Sequence, residues 1–312
     1  MVQLNPSISV SIMDTGKSQI RGADVIKTLA AIYPQLYLKP GPEAAEEYKR
    51  IVECGELPEC RSLSHFNCRD DDMLFEEITP AGKVSVVTLR DRADFELFLQ
   101  IIAHRCIPKP IPDTQGAAIL DGVINWTRIR AHEKEFFEKN GPEADWDSEF
   151  ARFTSDRMNF KDALVVLSWG PYSAVSAERA GFPAEEWLEL SNTIRKTHEC
   201  THFICRRLHP DKKDAVWDEL VADAAGIFAA FGKFDLRLEE LFLGIEGGKY
   251  QGGRLENYID GDMNRQEQLD ALAPRIHSIL LRFSETADRS DPSDPYGFAL
   301  RLEEEIGCWK KV

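Results

Sequence analysis

What the 312-residue chain lacks narrows the field first. No apolar run approaches the roughly eighteen residues that a membrane-spanning helix needs. The opening MVQLNPSISVSIMDTGKS has neither the basic segment nor the apolar stretch of a secretory signal. The expectation is a cytoplasmic protein with no membrane partner. Cations are in the minority, with 38 Lys and Arg against 53 Asp and Glu and a net charge of −15. Phosphate binding needs clustered Lys and Arg, so no nucleic-acid partner is expected. The 7 cysteines are odd in number and include no CxxC pair, which suits reduced thiols better than a disulfide framework. Cys54, Cys60 and Cys68 could hold a metal, but without paired-thiolate spacing they read as free or buried thiols. A phosphate loop is missing too: DTGKS at 14–18 ends like one, yet Ser11 stands where its first glycine belongs.

What remains is an ordinary globular composition, 43% hydrophobic, enough for a sizeable core. There is no repeat and no low-complexity tract. Residues 1–20 read as extended and poorly anchored. KVSVVTL at 83–89 reads as a strand, and DRADFELFLQIIAHR at 91–105 as an amphipathic helix with an Asp at its start. A long helix is expected from Gln115 to about Lys139, and a second strand at 162–168, stopped by Gly170 and Pro171. The rest reads as mostly helical, apart from the glycine-rich LGIEGGKYQGGRLENYIDG at 243–261. A soft boundary near 145 separates a mainly helical N-terminal region with a short strand, 1–145, from a metal-binding region, 146–312.

The chemistry concentrates at 197–226. HECTH places His198 and His202 four residues apart, so on a helix they project from one face, where two imidazoles can reach one Zn²⁺. Glu199 stands beside them. The helix is well signalled: Pro183 precedes it, Glu185 and Glu186 suit its first turn, and Trp187, Leu190, Ile194, Thr201 and Ile204 mark a buried stripe before Pro210. A second helix follows, with Asp211 and Asp214 as capping residues. If the two fold back about His209–Pro210–Asp211, residues equally far from the turn lie at equal height. His202 then faces Glu219, and His198 faces Asp223. That makes His198, His202 and Glu219 the metal ligands, with Asp223 holding the far ring nitrogen of a liganding histidine.

HECTH at 198–202 followed by ELVAD at 219–223 resembles the zincin metallopeptidases, specifically the gluzincin or thermolysin-like arrangement of HExxH and ExxxD. The likeness covers about thirty residues, and two features depart from it: Asp218 stands where the thermolysin group has asparagine, and the connection between the helices is short. The resemblance implies an α+β fold, a mainly helical zincin-like domain with a small sheet above the HExxH helix. It implies Zn²⁺, a water activated by Glu199, and hydrolysis of a peptide or protein substrate. It also implies an edge strand that receives substrate, a role that falls to DALVVLSWGPYS. No motif identifies the group that steadies the oxyanion; Tyr250, Arg254 and Tyr258 in the glycine-rich stretch are the candidates.

Other histidines have blander readings. His209 precedes a helix-ending proline and suits a cap, while His65, His104, His132 and His277 lack metal-ligand neighbours in sequence. Cys200 points away from His198, into the core. Besides a soluble peptidase, two function classes stay open: a zincin-fold regulatory or interaction protein without turnover, and a metallohydrolase of small amides.

Overall fold

Valine-rich segments that can be buried on both faces organise the first part of the chain. In the computed structural model, residues 19–210, 215–259 and 264–309 are described. The expected extended start up to residue 18, the DTGKS tail and the Asp211–Asp214 cap lie outside them. The chain forms two units. One comprises Met1–Glu77, Val84–Ile111 and Ile119–Ser168, the other Ile78–Lys83, Pro112–Ala118 and Trp169–Val312. The fold is mixed, largely helical with a five-stranded and a two-stranded sheet.

The first unit holds β1 (Gln19–Arg21), α1 (Asp24–Ile32), α2 (Ala44–Cys54) and most of β2 (Met73–Thr79) and β3 (Gly82–Leu89). It continues with α3 (Arg92–Ile102), most of β4 (Ala117–Ile124), α4 (Trp126–Asn140), α5 (Trp146–Thr154), α6 (Arg157–Phe160) and β5 (Lys161–Ser168). The strand order is β1-β2-β3-β5-β4. β3 and β5 run parallel with Val86 opposite Val165 and Val87 opposite Val166. All four valines are buried, as expected of a strand pair covered on both faces. α3 starts where Asp91 accepts the Ala93 N–H.

Two expectations need correction here. The segment from Gln115 to Lys139 is not one helix: Ala117–Ile124 is β4, and α4 begins only after Asn125, whose side chain accepts the Arg128 N–H. Gly122, at φ +89°, sits in a conformation no helix uses. The apolar run AAIL has no period of its own, and pairing beside β5 decides its state. Second, β5 lies between β3 and β4, so both its edges are paired and it cannot receive a substrate strand.

The second unit contains α7 (Ala177–Ala180), α8 (Ala184–Leu208), α9 (Ala215–Phe231), α10 (Leu236–Leu243), β6 (Ile245–Glu246), β7 (Lys249–Tyr250), α11 (Arg265–Ala287) and α12 (Pro295–Trp309). α9 is central. One face joins Leu220, Val221, Ala224 and Phe228 to Leu280, Phe283 and Phe298; its Ile227 packs with Trp187, Ile194 and Phe242. A helix apolar nearly all round belongs inside a fold. No described helix is long and apolar enough to cross a membrane.

α8 and α9 approach closely because Gly226 has no side chain. A Cβ there would stand 2.7 Å from the Ile194 carbonyl oxygen and 3.2 Å from its Cα. Alanine gains about 1 kcal/mol of helix propensity over glycine, but here it must push two backbones apart. Gly226→Ala should therefore melt below the unmutated protein in a calorimetric scan. An equal or higher melting temperature would mean that the helices have slack at this point.

Glu239 on α10 is an uncompensated carboxyl of this unit. It is 0% exposed, and among the described residues neither carboxylate oxygen has a hydrogen-bond partner. Burial pushes the carboxyl well above its ordinary value of 4.5. It is protonated in the fold, whereas the unfolded chain ionises it above that value. Its contribution to stability is therefore complete below the unfolded pKa and is lost as pH rises towards the folded one. Glu239→Gln imitates the protonated form at every pH. It should match the unmutated protein near about pH 4 and melt several degrees higher near about pH 8. Thermal scans that differ equally at both pH values would contradict this.

Candidate metal centre

His198 and His202 lie one helical turn apart on α8, with ring centroids 4.6 Å apart and planes nearly perpendicular. Cys200 is fully buried on the opposite side, as its rotation on the helix requires. The two Nε2 atoms are 3.0 Å apart. From α9, Glu219 brings Oε2 to 3.6 Å from His198 Nε2 and Oε1 to 3.4 Å from His202 Nε2. A tetrahedral ion with bonds of about 2.0–2.1 Å separates its ligand atoms by roughly 3.3 Å. The three spacings bracket that figure, so the donor set fits zinc in size as well as in chemistry. Among the described residues this is the one group of three or more His, Cys, Asp or Glu side chains able to share an ion. Cys54, Cys60 and Cys68 form no such group.

Asp223, one turn along α9 from Glu219, has no exposed surface. Its Oδ1 lies 2.8 Å from His198 Nδ1 and accepts the Tyr172 hydroxyl at 2.6 Å; that hydroxyl is also 2.9 Å from His198 Nδ1. Its Oδ2 pairs with the Arg254 guanidinium. A buried carboxylate tends to be costly, and here donors from three segments satisfy it. With the Nδ1 proton of His198 directed at the Tyr172 hydroxyl and Asp223, Nε2 presents its lone pair to the cluster.

The electrostatics favour the same state. Burial lowers the His198 pKa against the opposing charges of Glu219 and Glu199, keeping the imidazole neutral. Burial alone would raise Glu219, but the His202 hydrogen bond, the electrostatic interactions with the two imidazoles and the charge of Arg254 outweigh it and hold the carboxyl well below its usual range. Burial raises the Tyr172 and Tyr258 hydroxyls, so both remain donors.

Of the three oxyanion candidates, the fold brings two to the cluster. Tyr258 donates to Glu219 Oε2 at 3.1 Å, and Arg254 reaches Asp223. Tyr250 does not arrive: its hydroxyl donates to the Gly253 carbonyl at 3.1 Å. Glu199 is half-buried, and among the described residues its carboxylate makes no hydrogen bond. Three of the other histidines have partners away from the cluster: His65 meets the Leu36 carbonyl, His132 Glu149 and His277 Glu240. His209 ends α8 through its backbone N–H on the Cys205 carbonyl. Sequence reasoning missed Tyr172. The one signal was its place in WGPYS, directly after a buried strand.

If these spacings hold an ion, protein purified with zinc supplementation should carry about one Zn²⁺ per chain. Chelation should remove it and lower the melting temperature, and one equivalent of zinc should restore it. Elemental analysis that finds no bound transition metal would remove the centre.

No curated protein and no solved structure matches the chain. One family does match, over residues 2–294. The chain therefore belongs to DUF7005, a family of unknown function.

Proposed function

We propose that the protein is a zinc-dependent hydrolase, a metallopeptidase acting on a peptide or protein substrate. The observation that carries this reading is the convergence of His198, His202 and Glu219 at ligand spacing, with Asp223 on the far nitrogen of His198. His198, His202 and Glu219 would hold the ion. A zinc ion there supplies Lewis acidity, which acidifies a water towards a pKa of about 7 and polarises a carbonyl.

The chain's own residues do the rest. Glu199 follows His198 on the same helix and lies close enough for its charge to act on that imidazole. With its carboxylate free of any hydrogen bond among the described residues, it can take a proton from the attacking water and pass it to the leaving amine. Tyr258, protonated and beside Glu219, is the donor best placed to meet a developing oxyanion. Arg254 is committed to Asp223, so its role is to hold that carboxylate charged. The substrate strand is not assigned to β5, whose edges are both paired.

The two glutamates have different duties, which makes the reading testable. Glu219→Ala should lose metal and activity together. Glu199→Gln should keep full zinc occupancy and lose turnover by roughly a hundredfold or more. The assay is cleavage of a diverse peptide library by the zinc-loaded protein, with Glu199→Gln as control. Zinc-loaded protein that cleaves no better than this control would defeat the peptidase reading. Loss of zinc from Glu199→Gln with retention in Glu219→Ala would reverse the two roles and defeat the ligand assignment.

A further inference from the structure

Tyr172 lies in the turn that leaves β5, and its ring is packed in the apolar cluster with Trp187, Ile194 and Phe242. The Phe242 ring meets it edge-on at 4.9 Å. A phenylalanine would serve that packing equally well, so the packing does not explain the hydroxyl. The hydroxyl stands 2.6 Å from Asp223 Oδ1 and 2.9 Å from His198 Nδ1, which are themselves 2.8 Å apart. Three polar atoms thus close a triangle behind the metal-facing side of His198.

The turn that presents Tyr172 is held from several directions. The Tyr172 N–H donates to the Ser191 hydroxyl at 2.9 Å. Arg195 donates to the Gly170 and Pro171 carbonyls at 3.2 and 3.0 Å, and its guanidinium lies 5.8 Å from the Tyr172 ring centroid. A Cβ on Gly116 would stand 2.7 Å from Arg195 Nε, so glycine there leaves the guanidinium its place. Ser173 and Ala174, directly after Tyr172, both have positive φ, 51° and 55°, a conformation that L side chains rarely adopt. The backbone accepts strain where the hydroxyl is delivered.

We propose that Tyr172 is a positioning residue of the metal centre: its hydroxyl, shared with Asp223 Oδ1, fixes the orientation of His198 and the tautomer whose Nε2 lone pair faces the metal. The proposal rests on the zinc reading above. Arg254 on Oδ2 keeps Asp223 an acceptor, so the Tyr172 proton goes to Oδ1 and the Nδ1 proton of His198 stays in the triangle. Tyr172 therefore acts on His198 both by its own contact and through Asp223, and its effect belongs to the same unit.

The test is a double-mutant cycle read as zinc affinity, by competition with a chromophoric chelator, on the full chain. Tyr172→Phe should keep its circular dichroism and bind zinc about tenfold more weakly, and Asp223→Asn should lose roughly 10–100-fold. In the Asp223→Asn background, Tyr172→Phe should cost clearly less than its tenfold in the unmutated protein, because the hydroxyl, Asp223 and His198 work as one unit. Phe242→Leu, which loosens packing on the same ring without touching the hydroxyl, should lower the melting temperature and leave zinc affinity unchanged. The proposal is overturned if Tyr172→Phe binds zinc as tightly as the unmutated protein, if the two losses multiply, or if Phe242→Leu reproduces the loss. Unmutated protein that binds no zinc overturns the zinc reading and this proposal together. Normal binding in both it and Tyr172→Phe overturns this proposal alone.

Discussion

A carboxylate wholly removed from water, that of Asp223, is the constraint around which the candidate centre is built. An ion at that depth is tolerable only if its oxygens are matched by donors with good geometry. Asp223 is matched by His198 from α8, Tyr172 from the turn after β5 and Arg254 from the segment after β7. Each of those segments is thereby tied to α9. Satisfying the charge and aligning the imidazole are one requirement: the contacts that steady the buried carboxylate also leave His198 Nε2 as an acceptor.

The second condition is distance. Side chains as short as Asp and His meet across two helices only where the backbones come near each other. α9 achieves this with small residues: Ala222, Ala224, Ala225 and Gly226 follow Val221 and surround Asp223 in sequence, and Gly226 lies against Ile194, one turn before His198. Packing and chemistry therefore share a few residues.

How much of this was legible in the sequence follows from which relations are local. HECTH and ELVAD could be set opposite each other because both helices rise equally per residue, and a proline marks the turn between them. The strands at 83–89 and 162–168 announce themselves by β-branched runs. β4 did not, since AAILDGVI suits helix or strand until a neighbouring strand pairs with it. The order that puts β5 inside the sheet is likewise set by pairing between distant segments. Within the glycine-rich stretch, sequence could name Tyr250, Arg254 and Tyr258 together but could not rank them. Which of them reaches the cluster is set by contacts with α9, residues far off in sequence: Tyr258 with Glu219 and Arg254 with Asp223. Tyr172 was invisible for the same reason: its partners lie 26 and 51 residues away.

The charge arrangement bears on the chemistry such a centre could favour. Arg254 cancels the charge of Asp223 within one buried pair, and His198 is held neutral by burial. Glu219 is then the single uncompensated anion among the three clustered side chains. A divalent cation bound there would keep a net positive charge within the cluster, in surroundings where burial limits screening. Such a site stabilises negative charge gathering on a neighbouring oxygen, which is the demand made by attack on a carbonyl. Replacing the Arg254–Asp223 pair by a lone carboxylate would erase that bias. Arg254 would thus bear on the reactivity of a metal bound there through the charge it removes from the cluster.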